Sequence, residues 1–226
     1  MRVAIFAEGR SDAAVLTTIL RGWLGINRTD IDYRVPELDY DETDMSQMSV
    51  NQFSNWTIVK QNCLEQTQFY RFFNSTENAH FAIIQLDTAE RHLIGYEILE
   101  PNKTNTDDYS SVLRQNVVEK INNWLTNSYR DKLAFAVTIE EMEAWLLTIY
   151  EKTTTETAKY NQPKERFWQH VFPKFSLKDK NSIKNQPVFQ QYLTLSKGFT
   201  KKKTLVDCCK RNVSLKLFCE SLNAFE

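Results

Sequence analysis

The stretch VAIFAEGRSD, residues 3–12, decides how this chain is read. Its apolar residues 3–6 run without alternation, as a strand buried on both faces does. Ala13, Val15, Leu16, Ile19, Leu20 and Trp23 then recur at helical spacing, with Ser11 or Asp12 as the expected cap of that helix. Between strand and helix stands Glu8, an acid at the tip of a buried strand. Gly9 follows it, and a glycine there lets the backbone turn sharply or approach a ligand closely.

Outward from this unit the strand-then-helix pattern recurs. Residues 31–35 form a weaker strand candidate before the acidic stretch ELDYDETD, residues 37–44, which reads as a loop. Residues 55–73 read as helical, and residues 81–86 (FAIIQL) form a second full apolar strand that ends on Asp87. Val112, Leu113, Val117, Val118, Ile121 and Leu125 are spaced for a helix over 108–128. Residues 133–137 are a third apolar strand, followed by an expected helix over 140–150. Unalternating strands separated by helices predict an α/β fold, a mainly parallel sheet with helices on both faces. Past residue 151 the sequence turns polar, Lys-rich and helical, with Phe199, Leu205, Val206, Leu215, Phe218 and Leu222 as the expected buried positions. The reading is therefore an α/β domain over 1–150 and a basic helical extension over 151–226 packed on it.

Composition bounds the setting. A chain of 226 residues that is 42% apolar can bury a sizeable core. No run approaches the roughly 18 apolar residues of a membrane span, and the opening apolar run is too short for a secretion signal, so no membrane and a cytoplasmic location are expected. Cys63, Cys208, Cys209 and Cys219 show no C-x-x-C spacing and no nearby His, which reads as reduced thiols. The formal net charge of -1 hides an asymmetry: residues 1–150 carry 13 Lys+Arg against 22 Asp+Glu, and residues 151–226 carry 15 against 7. An acidic part able to hold cations beside a basic part able to hold phosphates suits a polyanionic substrate handled with a metal ion. Simple attraction between the two parts accounts for the asymmetry equally well.

In an open parallel sheet the functional crevice lies at the carboxyl ends of the strands. That places Glu8, Asp87, Glu140, Glu141 and Glu143 at one edge. Carboxylates gathered there repel one another by several kcal/mol unless a cation sits among them. Oxygen ligands without a paired His or Cys favour Mg²⁺ or Mn²⁺ over zinc. Plainer roles compete: Asp12 as a helix cap, Asp87 as the cap of a helix over 88–94, and the acids after the third strand as helix-dipole compensation. Glu140 and Glu143, at i and i+3, would share a face.

AEGRSD after the first strand, an aspartate after the next long apolar strand, and E-x-E-A-W-L-L (residues 141–147) after a later one resemble the Toprim-like fold. They are similar in particular to small stand-alone bacterial proteins of unknown function related to the overcoming-lysogenization-defect (OLD) nucleases. The tail, GFTKKKTLVDCCKRNVSLKLFCESL, is more loosely similar to the closing lysine and helices of that family. The resemblance implies that Glu8 acts in acid/base chemistry or metal binding, that Asp12 is the acid that follows it, and that Asp87 is the first aspartate of a D-x-D metal pair. Ala89 stands where the second aspartate belongs, and Glu90 comes one position late. A full metal set would then draw on Glu90, Glu140 or Glu143.

The expected function is a Mg²⁺- or Mn²⁺-dependent nuclease that hydrolyses phosphodiester bonds of DNA or RNA, with Glu8, Asp87 and Glu143 as catalytic residues. Lys197, Lys201, Lys202, Lys203, Lys210 and Arg211, interleaved with Phe199, would track the nucleic-acid backbone, although a lysine run also reads as a solvated face. The resemblance further implies a setting in prokaryotic anti-phage defence beside an ABC-type ATPase, since this chain has no G-x-x-x-x-G-K-[ST] of its own. The other reading is a catalytically weak module that binds nucleic acid or a partner.

Overall fold

A computed structural model of the chain describes residues 1–37, 55–102, 106–126, 129–152 and 161–226. Apart from Glu37, the acidic stretch 37–44 lies outside them. Four parallel strands, β1 (Arg2–Phe6), β2 (Ile31–Val35), β3 (Ala79–Asp87) and β4 (Leu133–Thr138), form one sheet in the order β2-β1-β3-β4. Val3 pairs with Phe81 across β1 and β3, and Asp87 faces Thr138 across β3 and β4. Val3, Ile5, Phe81, Ile83, Ala134 and Ala136 enter one apolar core, while Ala4, Phe6, Ala82, Ile84, Leu133 and Val137 enter another. Burial on both faces is the reason these strands lack alternation.

The second core is closed by α2 (Trp56–Glu65), α3 (Thr67–Ser75) and α4 (Thr106–Trp124). The single helix expected over 55–73 is broken at Gln66, whose left-handed backbone (φ 56°) ends α2 with its N–H on the Asn62 carbonyl. The break redirects α3 so that Phe69 stacks on Phe6, ring centroids 4.1 Å apart.

The first core is closed by α1 (Arg10–Leu24) and by helices that follow β4: α5 (Glu143–Tyr150), α6 (Pro163–Arg166), α7 (Leu177–Lys184), α8 (Val188–Leu195), α9 (Lys202–Cys209) and α10 (Val213–Ser221). The tail is helical, as its pattern predicts. It packs tightly: Trp145 Nε1 donates to Ser214 Oγ at 2.8 Å, and a Cβ placed on Gly22 of α1 would lie 1.9 Å from the Phe199 carbonyl oxygen. Phe199, Leu205, Leu215, Phe218 and Leu222 are fully buried. Val206 departs from expectation at 40% exposure, because Leu205, Cys208 and Cys209 set the inner face of α9 and the next residue turns outward. All four cysteines are buried free thiols. Among the described residues, no helix is long and apolar enough to cross a membrane.

Candidate active site

The carboxyl ends of β1 and β3 meet in a ring of hydrogen bonds. The Glu8 N–H donates to Gln85 Oε1 (2.9 Å), Gln85 Nε2 donates to Asp87 Oδ1 (3.0 Å), and the Asp87 N–H donates back to Glu8 Oε1 (2.5 Å). The Thr138 hydroxyl of β4 donates to the same Asp87 Oδ1, and Tyr96 Oη donates to the Asp87 carbonyl (2.7 Å). Parallel neighbours end at the same edge, so the two acids are brought together by the topology. Gln85, a polar side chain with no exposure inside an apolar strand, offsets its desolvation through this ring.

Asp12 joins them from α1. Ser11 or Asp12 is the cap expected from the sequence, but the helix opens at Arg10, and Gly9, extended at φ -149° and ψ 166°, holds the cap position without a side-chain bond. Asp12 therefore sits inside the first turn, 4% exposed, and its carboxylate folds back over Gly9. A Cβ at residue 9 would lie 2.8 Å from Asp12 Oδ2. Space for that carboxylate, rather than an unusual φ, is what requires the glycine.

The acids after β4 divide. The helix expected from 140 begins only at Glu143, and Glu140 adopts a left-handed backbone (φ 66°), with its N–H on Thr88 Oγ1 at 2.7 Å. The i, i+3 relation therefore fails. The Glu140 carboxylate pairs with Arg91 at 3.0 Å, away from the cavity that receives Glu143. Arg91 also holds Glu100 (3.1 Å) and the Thr88 carbonyl (2.8 Å), which fixes the segment after β3. Residues 88–94 form turns rather than a helix, so Asp87 caps nothing. The chain runs on beside β4, with the Ala89 N–H on the Glu140 carbonyl (3.1 Å), and this path delivers Glu90 to the cavity.

Glu8, Asp12, Asp87, Glu90, Glu141 and Glu143 line one cavity of about 260 Å³, with Asn55, Lys164 and Tyr192 completing the wall. Tyr192 donates to Glu143 Oε1, and Glu143 is 4% exposed. Lys164, the single cation among the described lining residues, lies 3.9 Å from Glu141. Burial pushes Glu8 from 4.5 up to about 8. The charges of Asp12 and Glu90 push the same way, while the Asp87 and Trp56 backbone N–H groups oppose them. Burial, then the Glu143 charge, pushes Asp12 from 3.8 up to about 7. Asp87 is held well above the usual carboxylate range by burial and by the charges of Asp12 and Glu8. Buried acids that resist ionisation and face one another in a cleft cost the fold stability and mark a candidate functional site.

The donor set is all oxygen, which fits a hard divalent cation. Among the described residues, however, no three Asp, Glu, His or Cys side chains are gathered into a ready coordination set. Instead Asp87 is held by Thr138 and Gln85, Glu143 by Tyr192, and Glu8 by the Asp87 N–H. Each of these bonds falls on one oxygen of its carboxylate, Asp87 Oδ1, Glu8 Oε1 and Glu143 Oε1.

The basic segment lies elsewhere. Lys202 Nζ is 5.3 Å from the ring centroid of Trp23, near the C-terminal end of α1, whereas Asp12 is at the other end. Eleven residues of helix separate the two, about 17 Å at 1.5 Å per residue. Lys197, Lys201, Lys202, Lys203 and Lys210 are exposed. Arg211 is buried, donating to Asp207 Oδ2 (2.7 Å) and to the Thr148 carbonyl (2.8 Å). His92 is exposed and outside the cavity wall. Lys164, Tyr192 and Asn55 escaped the sequence reading because nothing local marks them, whereas Gln85, polar in the middle of an apolar strand, was a usable signal. Compared with known proteins, the chain matches no family model, and no curated protein or solved structure matches it significantly.

Proposed function

We propose that this chain is a Mg²⁺- or Mn²⁺-dependent nuclease of Toprim-like kind that hydrolyses phosphodiester bonds of DNA or RNA. One observation carries this reading: Glu8 and Asp87, bonded across adjacent parallel strands, share a small cavity with Asp12, Glu90 and Glu143, and burial raises the first two and Asp12 above the usual carboxylate range. Glu8, Asp12 and Asp87 would hold the cation, with Glu90 and Glu143 in reach of the same space. Such an ion, when bound, activates a water and stabilises the leaving oxygen. Glu8 would serve either as a ligand or, left unligated, as the group that takes up or releases a proton, Thr138 and Gln85 orient Asp87, and Lys164 would offer a positive charge to a phosphoryl oxygen. The resemblance to OLD-related proteins leads us to place the activity in anti-phage defence with an ATPase partner.

The want of a ready three-ligand set among the described residues favours a second reading, a module that binds nucleic acid without cutting it. Incubation of plasmid DNA and of RNA with the full chain and Mn²⁺ separates the two. Cleavage that falls about 100-fold or more in Glu8→Gln and Asp87→Asn supports the nuclease. Binding without cleavage, together with a melting temperature that Mn²⁺ leaves unmoved, overturns it.

A further inference from the structure

A second cavity, of about 470 Å³, opens at the far end of α1 and includes Trp23, Lys210, Lys216 and Glu220 in its wall. Its rim is basic. Lys210 and Lys216 are exposed, Lys202 Nζ lies 5.3 Å from the Trp23 ring centroid, and Lys201 and Lys203 stand beside it at the start of α9. The acids in reach are Glu220, 3.8 Å from Lys216 Nζ, Glu226, 3.5 Å from Lys202 Nζ, and Asp207, paired with Arg211 at 2.7 Å. The indole is fixed in place, its N–H donating to Asn223 Oδ1 at 2.8 Å.

We infer that this cavity anchors single-stranded nucleic acid, with a base taking the place of the exposed Lys202 ammonium over the Trp23 ring and the adjoining phosphates on Lys202, Lys210 and Lys216. A fixed aromatic face beside lysines is the combination that holds single strands without reading sequence, since every base has a face to stack and every nucleotide a phosphate. The anchor serves the carboxylate cavity and rests on the nuclease reading in one respect, the distance between the two. Asp12 and Trp23 are eleven residues apart on α1, about 17 Å, and a stacked strand advances about 3.4 Å per nucleotide, so about five nucleotides bridge them. Strands shorter than that reach one site only.

Fluorescence anisotropy with end-labelled single strands of 3, 6 and 12 nucleotides, on the full chain in EDTA, tests this. The 3-mer should already bind, since one base and its adjoining phosphates fill the anchor, and in EDTA longer strands should gain little from the metal-free acids. The double variant Lys210→Glu/Lys216→Glu, with both changes at exposed positions, should weaken all three about ten-fold or more and flatten the salt dependence. Trp23→Leu should weaken them about ten-fold. Binding that survives the double variant, or a duplex bound more tightly than a single strand of equal length, overturns the anchor. If Mn²⁺ cleaves 3-mers as well as 12-mers, the nuclease reading stands and the anchor falls. If nothing is cleaved but the binding and its loss are seen, the nuclease reading falls and the anchor stands.

Discussion

Replacing Glu8 by Gln should stabilise the protein, and increasingly so as pH rises. Gln keeps an oxygen to accept from the Asp87 N–H and removes a charge that burial opposes. A carboxyl that titrates at 4.5 unfolded and at about 8 folded binds more protons in the native state between those values. Unfolding free energy therefore falls with pH across that window, is undiminished below 4.5, and has lost its full share above about 8. At about 1.4 kcal/mol per pH unit, the interval is worth at most about 5 kcal/mol at pH 9, a share of it due to Asp12 and Glu90. For a chain of this length that is a melting temperature up to about 10 °C higher in the variant, with the two proteins converging at pH 4 to 5. Thermal unfolding followed by circular dichroism from pH 4.5 to 9, in EDTA, reads this directly. Mn²⁺ should narrow the gap from the wild-type side, most at alkaline pH, where the carboxylates are ionised. Parallel curves for the two proteins, or a variant less stable at pH 9, would refute the claim that Glu8 is a strained buried acid.

Two further substitutions probe the frame. Gly22→Ala places a Cβ 1.9 Å from the Phe199 carbonyl oxygen, a backbone atom that cannot swing aside, so α1 and the tail must part. We expect a loss of about 3 kcal/mol by urea denaturation, at the upper end for overpacking. Tyr192→Phe takes the hydroxyl from Glu143 and leaves a buried carboxylate short of a donor, at a cost of about 1–3 kcal/mol at neutral pH. The double variant with Glu143→Gln should lose less than the two single losses together, and strict additivity in urea midpoints would show that the two side chains do not interact.

The sheet was legible because burial on both faces writes an unbroken apolar run, and β1, β3 and β4 all carry one. Glu8 and Asp87 were legible as strand-end acids for the same reason. Of the acids after β4, Glu141 and Glu143 reach the cavity but Glu140 does not, because its left-handed backbone breaks the helical spacing that would pair it with Glu143 and Arg91, far earlier in sequence, claims its charge. Charge counting set an acidic part beside a basic one, and most of the length of α1 separates Lys202 from the carboxylates, Lys164 alone of the described lysines joining them. Tyr192 and Lys164 were invisible because they approach through packing of the tail on the first core, which no local pattern reveals.

That packing has a consequence for a chain still emerging from the ribosome. When residue 150 has been made, the strand ends and their acids exist, yet the phenol that steadies Glu143 and the ammonium beside Glu141 have not been synthesised. The face of α1 that the tail covers is also still bare. The cavity wall becomes whole only after residue 192 has been added and the tail has docked.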